Sequence, residues 1–342
     1  MYLLRNLPGI LHLSSLSISE FPQTHALIHY LSQGWRGCSL AVLTCVLLYW
    51  TQGGWFFFLL LIFVLVGVVY QIQDNLLYYP EEPETSRLFI MRPTTYNLPF
   101  EDLSIPTRDG LLINAYFMAQ PAPLCSKMHT MVIFHGNAGN IGHRLANVHG
   151  LYNQVKCNVL LVEYRGYGKS QGYPYEHGFY LDSQAALDYL VERRDIDNQK
   201  IVLFGRSLGG AVAIDLACQP QYRSHIAGII VENTFTSIMD ISAKLFSPLY
   251  YIPRILFKNK YESLGKIERV HAPFLFLSGQ SDTLIPPAMM NTLFHTCPSD
   301  HKIMKQFLRG THNTTWQCPG YYQSISSFLM ELSQIRREVG QT

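Results

Sequence analysis

The sequence predicts an α/β fold: a mostly parallel central sheet with helices on both faces, preceded by one N-terminal transmembrane helix. Three observations predict it. Between Thr130 and Leu308 short apolar runs alternate with helix-like stretches, mostly through short loops, which is the rhythm of parallel strands joined by crossover helices. Ahead of them, Gly37 to Tyr70 contains no charged residue. Third, Gly205-Arg206-Ser207-Leu208-Gly209 reads G-x-S-x-G between an apolar run, Ile201–Phe204, and a helix-like run, Ala211–Ala217. A strand that turns that sharply into a helix holds its serine at the tip of the turn, with glycines where strand and helix approach closely.

A chain of 342 residues is long enough for one large α/β domain and an appendage. The formal net charge of +2 gives no reason to expect a nucleic acid partner. Cys38, Cys45, Cys125, Cys157, Cys218, Cys297 and Cys318 form no C-x-x-C pair and no zinc-type spacing. They read as buried or incidental thiols; the alternative is a Cys297–Cys318 bridge in an oxidising compartment.

Residues 1–36 carry no motif. Residues 37–70 read as a transmembrane signal-anchor region, with the helix itself placed near 50–70. Its core, Trp55 to Val69, is apolar on every face, and Tyr49, Trp50, Trp55 and Tyr70 flank it as interfacial anchors do. It lies too far from Met1 for a cleaved signal peptide. The dip at Thr51-Gln52-Gly53-Gly54 leaves a hairpin of two shorter segments as the alternative. Arg36 precedes the run and the next basic residue is Arg87, a bias toward a cytosolic N-terminus and a lumenal or extracellular catalytic domain, that is, a single-pass type II protein. The expected partner of this region is the lipid bilayer. Residues 71–100 form a linker punctuated by Pro80, Pro83, Pro93 and Pro99.

The domain itself spans 101–340. Leu103–Ile113 reads as a hairpin around Asp109-Gly110. Thr130–Phe134 is a buried strand ending in His135-Gly136-Asn137-Ala138-Gly139-Asn140, with a helix from about Ile141 to Tyr152. Asn158–Glu163 is a strand, followed by the glycine-rich loop Tyr164–Ser170 and a helix over about Leu181–Arg193. After the strand into Ser207 and its helix come strands at Ile226–Val231, Pro273–Ser278 and Ile303–Leu308, and a closing helix at Tyr321–Arg337. A small lid insertion occupies about 233–270.

A serine nucleophile demands a base, an orienting acid and oxyanion donors. In sheets of this kind ligands bind outside the carboxyl ends of the strands. Asp282 follows one strand and His312 the last, in the order Ser, Asp, His. They are the expected acid and base, with Glu232 the alternative acid. The oxyanion donors are expected to be the backbone N–H groups of Leu208 and Asn137. His135 and His143 have no metal partners at ligand spacing, and Gly166-Tyr167-Gly168 does not fit a phosphate loop. No metal and no organic cofactor is implied. The expected reaction is cleavage of a carboxylic ester or thioester, with a lipid-like or acyl substrate favoured by the apolar lid and the membrane tether. The alternatives are a serine peptidase and a membrane-bound binding or scaffold protein that turns nothing over.

His135–Asn140, Tyr164–Ser170, Gly205–Gly210 and Gly310-Thr311-His312-Asn313-Thr314-Thr315-Trp316 together resemble the α/β-hydrolase superfamily. The resemblance implies the α/β-hydrolase fold and a type II membrane serine hydrolase with Ser207, Asp282 and His312 as its triad. It also points to Asn313, in the sequon Asn313-Thr314-Thr315, as a glycosylation candidate.

Overall fold

Parallel pairing dominates the eight-stranded sheet of this computed structural model, which describes residues 39–51, 54–245 and 251–339. The chain divides into two compact units, with the boundary between Leu76 and Leu77.

In the first unit the apolar tract forms helices α1 (Ser39–Thr51) and α2 (Gly54–Leu77). Gln52 and Gly53 lie outside the described residues. Helix α2 has 24 residues and buries none of its side chains. By length and composition it can cross a membrane. It runs seven residues beyond the expected end at 70, because Gln71–Leu77 contains neither proline nor glycine and Pro80 is the first breaker.

The second unit holds the sheet. Its strands are β1 (Glu101–Pro106), β2 (Leu112–Met118), β3 (Thr130–Phe134), β4 (Asn158–Val162), β5 (Ile201–Arg206), β6 (Ile226–Glu232), β7 (Phe274–Gly279) and β8 (Lys302–Phe307), in the spatial order β1-β2-β4-β3-β5-β6-β7-β8. Strand β2 is antiparallel to β1 and β4, and every other pair is parallel. The helices are α3 (Leu145–Gly150), α4 (Glu176–Glu192), α5 (Leu208–Cys218), α6 (Ile238–Leu245), α7 (Ser263–Ile267), α8 (Pro287–Thr296) and α9 (Tyr321–Val339).

Alternate residues of the strands feed two cores, as the period of two requires. Val132, Phe134 and Leu203 pack with α4, α5 and α8 on one face. Met131, Ile133, Val202 and Phe204 pack with α3 and α9 on the other. Each such fully buried side chain contributes about 1.5–3 kcal/mol. Burial on both faces explains why these strands are apolar throughout rather than alternating.

Two expected helices differ. The one at 141–152 is broken into a 3-10 turn (Ile141–Arg144), α3 and a π turn (Leu151–Val155). Asn140 and His143 close a reciprocal capping box on each other's backbone N–H groups, which fixes the tight first turn. Helix α4 begins at Glu176, not Leu181. The Glu176 carboxylate accepts the N–H groups of Lys260 and Tyr261 and the Tyr180 hydroxyl, so tertiary contacts hold an extra turn. Within 233–270 lie α6, a 3-10 turn at Arg254–Leu256 and α7; residues 246–250 fall outside the described ones.

Candidate active site

Strand β5 delivers Ser207 to the start of α5 with φ +54° and ψ −121°, a conformation that side-chain-bearing residues avoid. The surroundings over-determine it. The Ser207 N–H donates to the Glu232 carbonyl at 2.9 Å, and the Thr234 hydroxyl donates to the Ser207 carbonyl at 2.8 Å. A Cβ on Gly205 would collide with the backbone of Gly209, and one on Gly209 with the carbonyls of Phe134 and His135. Glycine is what lets strand and helix meet closely enough to make the turn.

The structure brings Asp282 and His312 to this serine from strands β7 and β8. His312 Nε2 lies 3.1 Å from Ser207 Oγ, and His312 Nδ1 lies 2.7 Å from Asp282 Oδ2. With Nδ1–H facing a carboxylate, Nε2 is the acceptor for the serine hydroxyl. Asp282 Oδ1 accepts the N–H groups of Leu284 and Ile285, each at 2.9 Å, so both carboxylate oxygens are engaged. Asp282 and Ser207 are both buried.

Glu232, the alternative acid, faces elsewhere. Its carboxylate lies 3.0 Å from the Arg206 guanidinium and accepts the Tyr321 hydroxyl at 2.6 Å.

The next residue, Asn233, is one that sequence reasoning missed. It is buried, with φ +46°. Its amide donates to the carbonyls of Thr311 (3.1 Å) and His312 (3.3 Å) and to the Thr315 hydroxyl (3.0 Å), while its oxygen accepts the Gly279 N–H (2.8 Å). One side chain thus ties the loop bearing His312 to the end of β7, three residues before Asp282. Its signal in the sequence is its place just past the end of an apolar strand.

On the other side of Ser207, β3 leads into the loop that carries Asn137. A methyl group on Gly136 would sit 3.6 Å from Ser207 Cβ, so loop and serine are neighbours. Leu208 follows the serine as the first residue of α5. Among the described residues the Asn137 N–H has no backbone acceptor. The Asn137 side chain donates to the Leu77 carbonyl, and Ala138 pairs with Tyr79. The Tyr167 hydroxyl donates to the Asn137 carbonyl at 2.6 Å. Tyr167 and Glu163 were also unsuspected; both belong to the loop that follows β4.

Behind the loop, Arg144, Asn147 and Arg206 line a small cleft with Gly136 and Phe204. Burial, and then the neighbouring Arg206, pull the Arg144 guanidinium down to about 10. Asn313, beside His312, is exposed, and its carbonyl accepts the Trp316 indole N–H at 2.9 Å. Cys297 and Cys318 are both free, so the bridge weighed from sequence is not formed. Cys38 lies outside the described residues. Among the described residues no group of three or more His, Cys, Asp or Glu side chains converges as a metal site.

The alpha/beta hydrolase fold family model matches residues 129–247. Protein bem46 of Schizosaccharomyces pombe is 39% identical over 269 residues, covering 78% of this chain and 89% of that protein. A Saccharomyces cerevisiae protein described as an uncharacterized membrane protein is 35% identical, covering 78% of this chain and 92% of its own. Among solved structures, an esterase from Pyrococcus furiosus superposes with a TM-score of 0.58 at 18% identity, covering 71% of this chain and 96% of that one, a likeness of fold.

Proposed function

The chain belongs to the alpha/beta hydrolase superfamily, and on that premise we propose that it is a membrane-anchored serine hydrolase cleaving a carboxylic ester or thioester. The observation that carries the reading is the hydrogen-bonded line from Ser207 Oγ through His312 to Asp282, with spacings of 3.1 and 2.7 Å. The esterase fold of the Pyrococcus furiosus neighbour supports the same class of reaction.

In this reading His312 Nε2 takes the Ser207 proton as Oγ attacks the acyl carbonyl. Asp282 holds the Nδ1–H tautomer and stabilises the imidazolium. The Leu208 and Asn137 N–H groups receive the negative charge on the carbonyl oxygen. His312 then returns the proton to the leaving alcohol or thiol. Water, deprotonated by His312, attacks the acyl-enzyme and releases the acid. Exposed Tyr251 and Ile255 in the lid segment, together with the apolar helix α2, favour an acyl or lipid-like substrate. The relative described as a membrane protein supports the anchor. The basic-residue bias around the apolar tract favours the type II orientation, with the catalytic unit lumenal or extracellular and Asn313 open to glycosylation.

A fluorophosphonate serine probe applied to detergent-solubilised full-length protein tests this. Wild type should label. Ser207→Ala should not, and Asp282→Asn should slow turnover by about 10^4. Folded wild type that refuses the probe would sink the hydrolase reading. Treating the same cell-made protein with an endoglycosidase tests the orientation: no mobility shift in either wild type or Asn313→Gln counts against a lumenal domain with an occupied Asn313.

A further inference from the structure

Four successive carbonyls in the loop after β3 each accept a hydrogen bond from a side chain. The Tyr164 hydroxyl donates to the His135 carbonyl at 3.2 Å. His135 Nδ1 meets the Gly136 carbonyl at 2.7 Å. The Tyr167 hydroxyl donates to the Asn137 carbonyl at 2.6 Å, and Arg144 donates to the Ala138 carbonyl. In a trans peptide the N–H points opposite to the C=O. Holding the Gly136 carbonyl on the His135 ring therefore turns the Asn137 N–H the other way and leaves it free. The loop's orientation is thus set by side chains, one carbonyl at a time.

His135 is the one donor of the four whose hydrogen depends on its tautomer. Facing a carbonyl, Nδ1 must carry a proton to hold it. The other ring nitrogen, Nε2, lies 3.2 Å from Glu163 Oε1, with both side chains fully buried. Neither atom has another partner, and their alignment is poor for a strong hydrogen bond. The second carboxylate oxygen accepts the Ile141 N–H at 3.0 Å. The Tyr164 and Tyr167 rings close over the imidazole at 4.5 and 5.4 Å. An unprotonated Nε2 against a carboxylate would set two lone pairs together between fully buried side chains, which is costly. A ring that donates from Nδ1 therefore needs a second proton, at Nε2 or Oε1, to rest against this carboxylate.

The glycine-rich loop fits this arrangement. Gly168 has φ +47°, and a Cβ there would land on the Glu163 carboxylate. The loop that is not a phosphate cradle wraps the buried acid.

We propose that Glu163 and His135 form a buried pair that holds the imidazole where it positions the Gly136–Asn137 peptide, and through it the oxyanion hole, in a role that rests on the serine hydrolase reading. Neither residue touches substrate. They are positioning residues, and their contribution belongs to the transition state rather than to substrate binding.

Full-length protein carrying Glu163→Leu, Glu163→Gln or His135→Phe is compared with wild type in hydrolysis of p-nitrophenyl butyrate and in inhibition by an alkyl trifluoromethyl ketone, whose adduct places an oxyanion in the hole. In His135→Phe, which keeps a flat ring between Tyr164 and Tyr167 but has no donor for the Gly136 carbonyl, kcat should fall by about 10^2–10^3, the loss typical of one missing oxyanion donor. KM should be little changed, and the ketone should bind more weakly by a similar factor. Glu163→Gln should keep kcat near wild type, because its amide can donate to Nε2 and leave the proton on Nδ1. Where His135→Phe does not fold, Glu163→Leu, which releases the ring at Nε2 and lets Nδ1 turn off the Gly136 carbonyl, should show a smaller loss in the same direction. An active wild type with an equally active and equally inhibited Glu163→Leu or His135→Phe overturns this proposal alone. A wild type that neither labels nor turns over overturns the hydrolase reading and this proposal with it.

Discussion

The two halves of the candidate triad are built by different means. Ser207 is held by the backbone: a positive φ and two glycines without which strand β5 and helix α5 could not meet. The two glycines that permit the turn lie within two residues of the serine, and the backbone of Phe134, His135 and Glu232 closes around them. The loops that carry Asp282 and His312 are tied together by a side chain reaching across the fold. Asn233 spans 46 residues to Gly279 and 82 to Thr315 to clamp their two loops together. A locally built site tolerates distant change and fails at once to a local one. A site clamped from afar depends on single hydrogen bonds that can be removed without touching the reacting groups.

The sharpest way to break this contrast is at Gly209. A side chain there meets main-chain carbonyls of Phe134 and His135, which cannot rotate away. Gly209→Val should reduce probe labelling to the level of Ser207→Ala, a loss of about 10^6 if it matches removal of a serine nucleophile. Labelling by a folded Gly209→Val near the wild-type rate would show that the elbow is not locked by its glycines.

The same contrast explains what could be read from the chain. The elbow was legible because G-x-S-x-G between strand and helix is a local pattern with a local cause. The sheet was legible because buried parallel strands are continuous apolar runs, and β3, β5 and β7 fall within a residue or so of where those runs lie. Asp282 and His312 could be named from their order and strand-end positions, which the topology then brings to one edge. Asn233 could not, since its role exists only once β6, β7 and β8 are side by side. The Glu163–His135 pair was hidden for the same reason, being made between the ends of β4 and β3. Helix α4 gained its first turn from Glu176 binding the backbone of Lys260 and Tyr261, a contact that no local propensity encodes.

Asn233 supplies the next, smaller effect. Its positive φ is one that glycine also adopts easily, so Asn233→Gly keeps the backbone and removes only the four hydrogen bonds. Stability should fall by about 1–3 kcal/mol from the partners left unsatisfied. The rate constant kcat should drop by up to about 10^2 as His312 loses its position, with KM little changed. Steady-state kinetics and chemical denaturation on one preparation measure both. Unchanged kcat at reduced stability would make Asn233 a structural clamp only, and would place the acid–base side on the same self-sufficient footing as the elbow.

The smallest expected effect separates the site from the far end of the sheet. His129 immediately precedes β3, at the end opposite the candidate site, and is buried. Burial, with Lys200 adding to it, lowers its imidazole to about 4. An unfolded histidine titrates near 6.5. Between those values the unfolded chain binds the extra proton and the folded chain does not, so stability must fall as pH falls through that window. The full span corresponds to at most about 3 to 4 kcal/mol. His129→Leu should flatten this part of the stability–pH curve, measured by denaturant unfolding from pH 7 to pH 4. It should leave the pH profile of kcat/KM unchanged, since the proposed base there is His312. A shift of the kinetic profile in His129→Leu would mean that the two ends of the sheet are electrostatically coupled, and that the site is less independent of its scaffold than its geometry indicates.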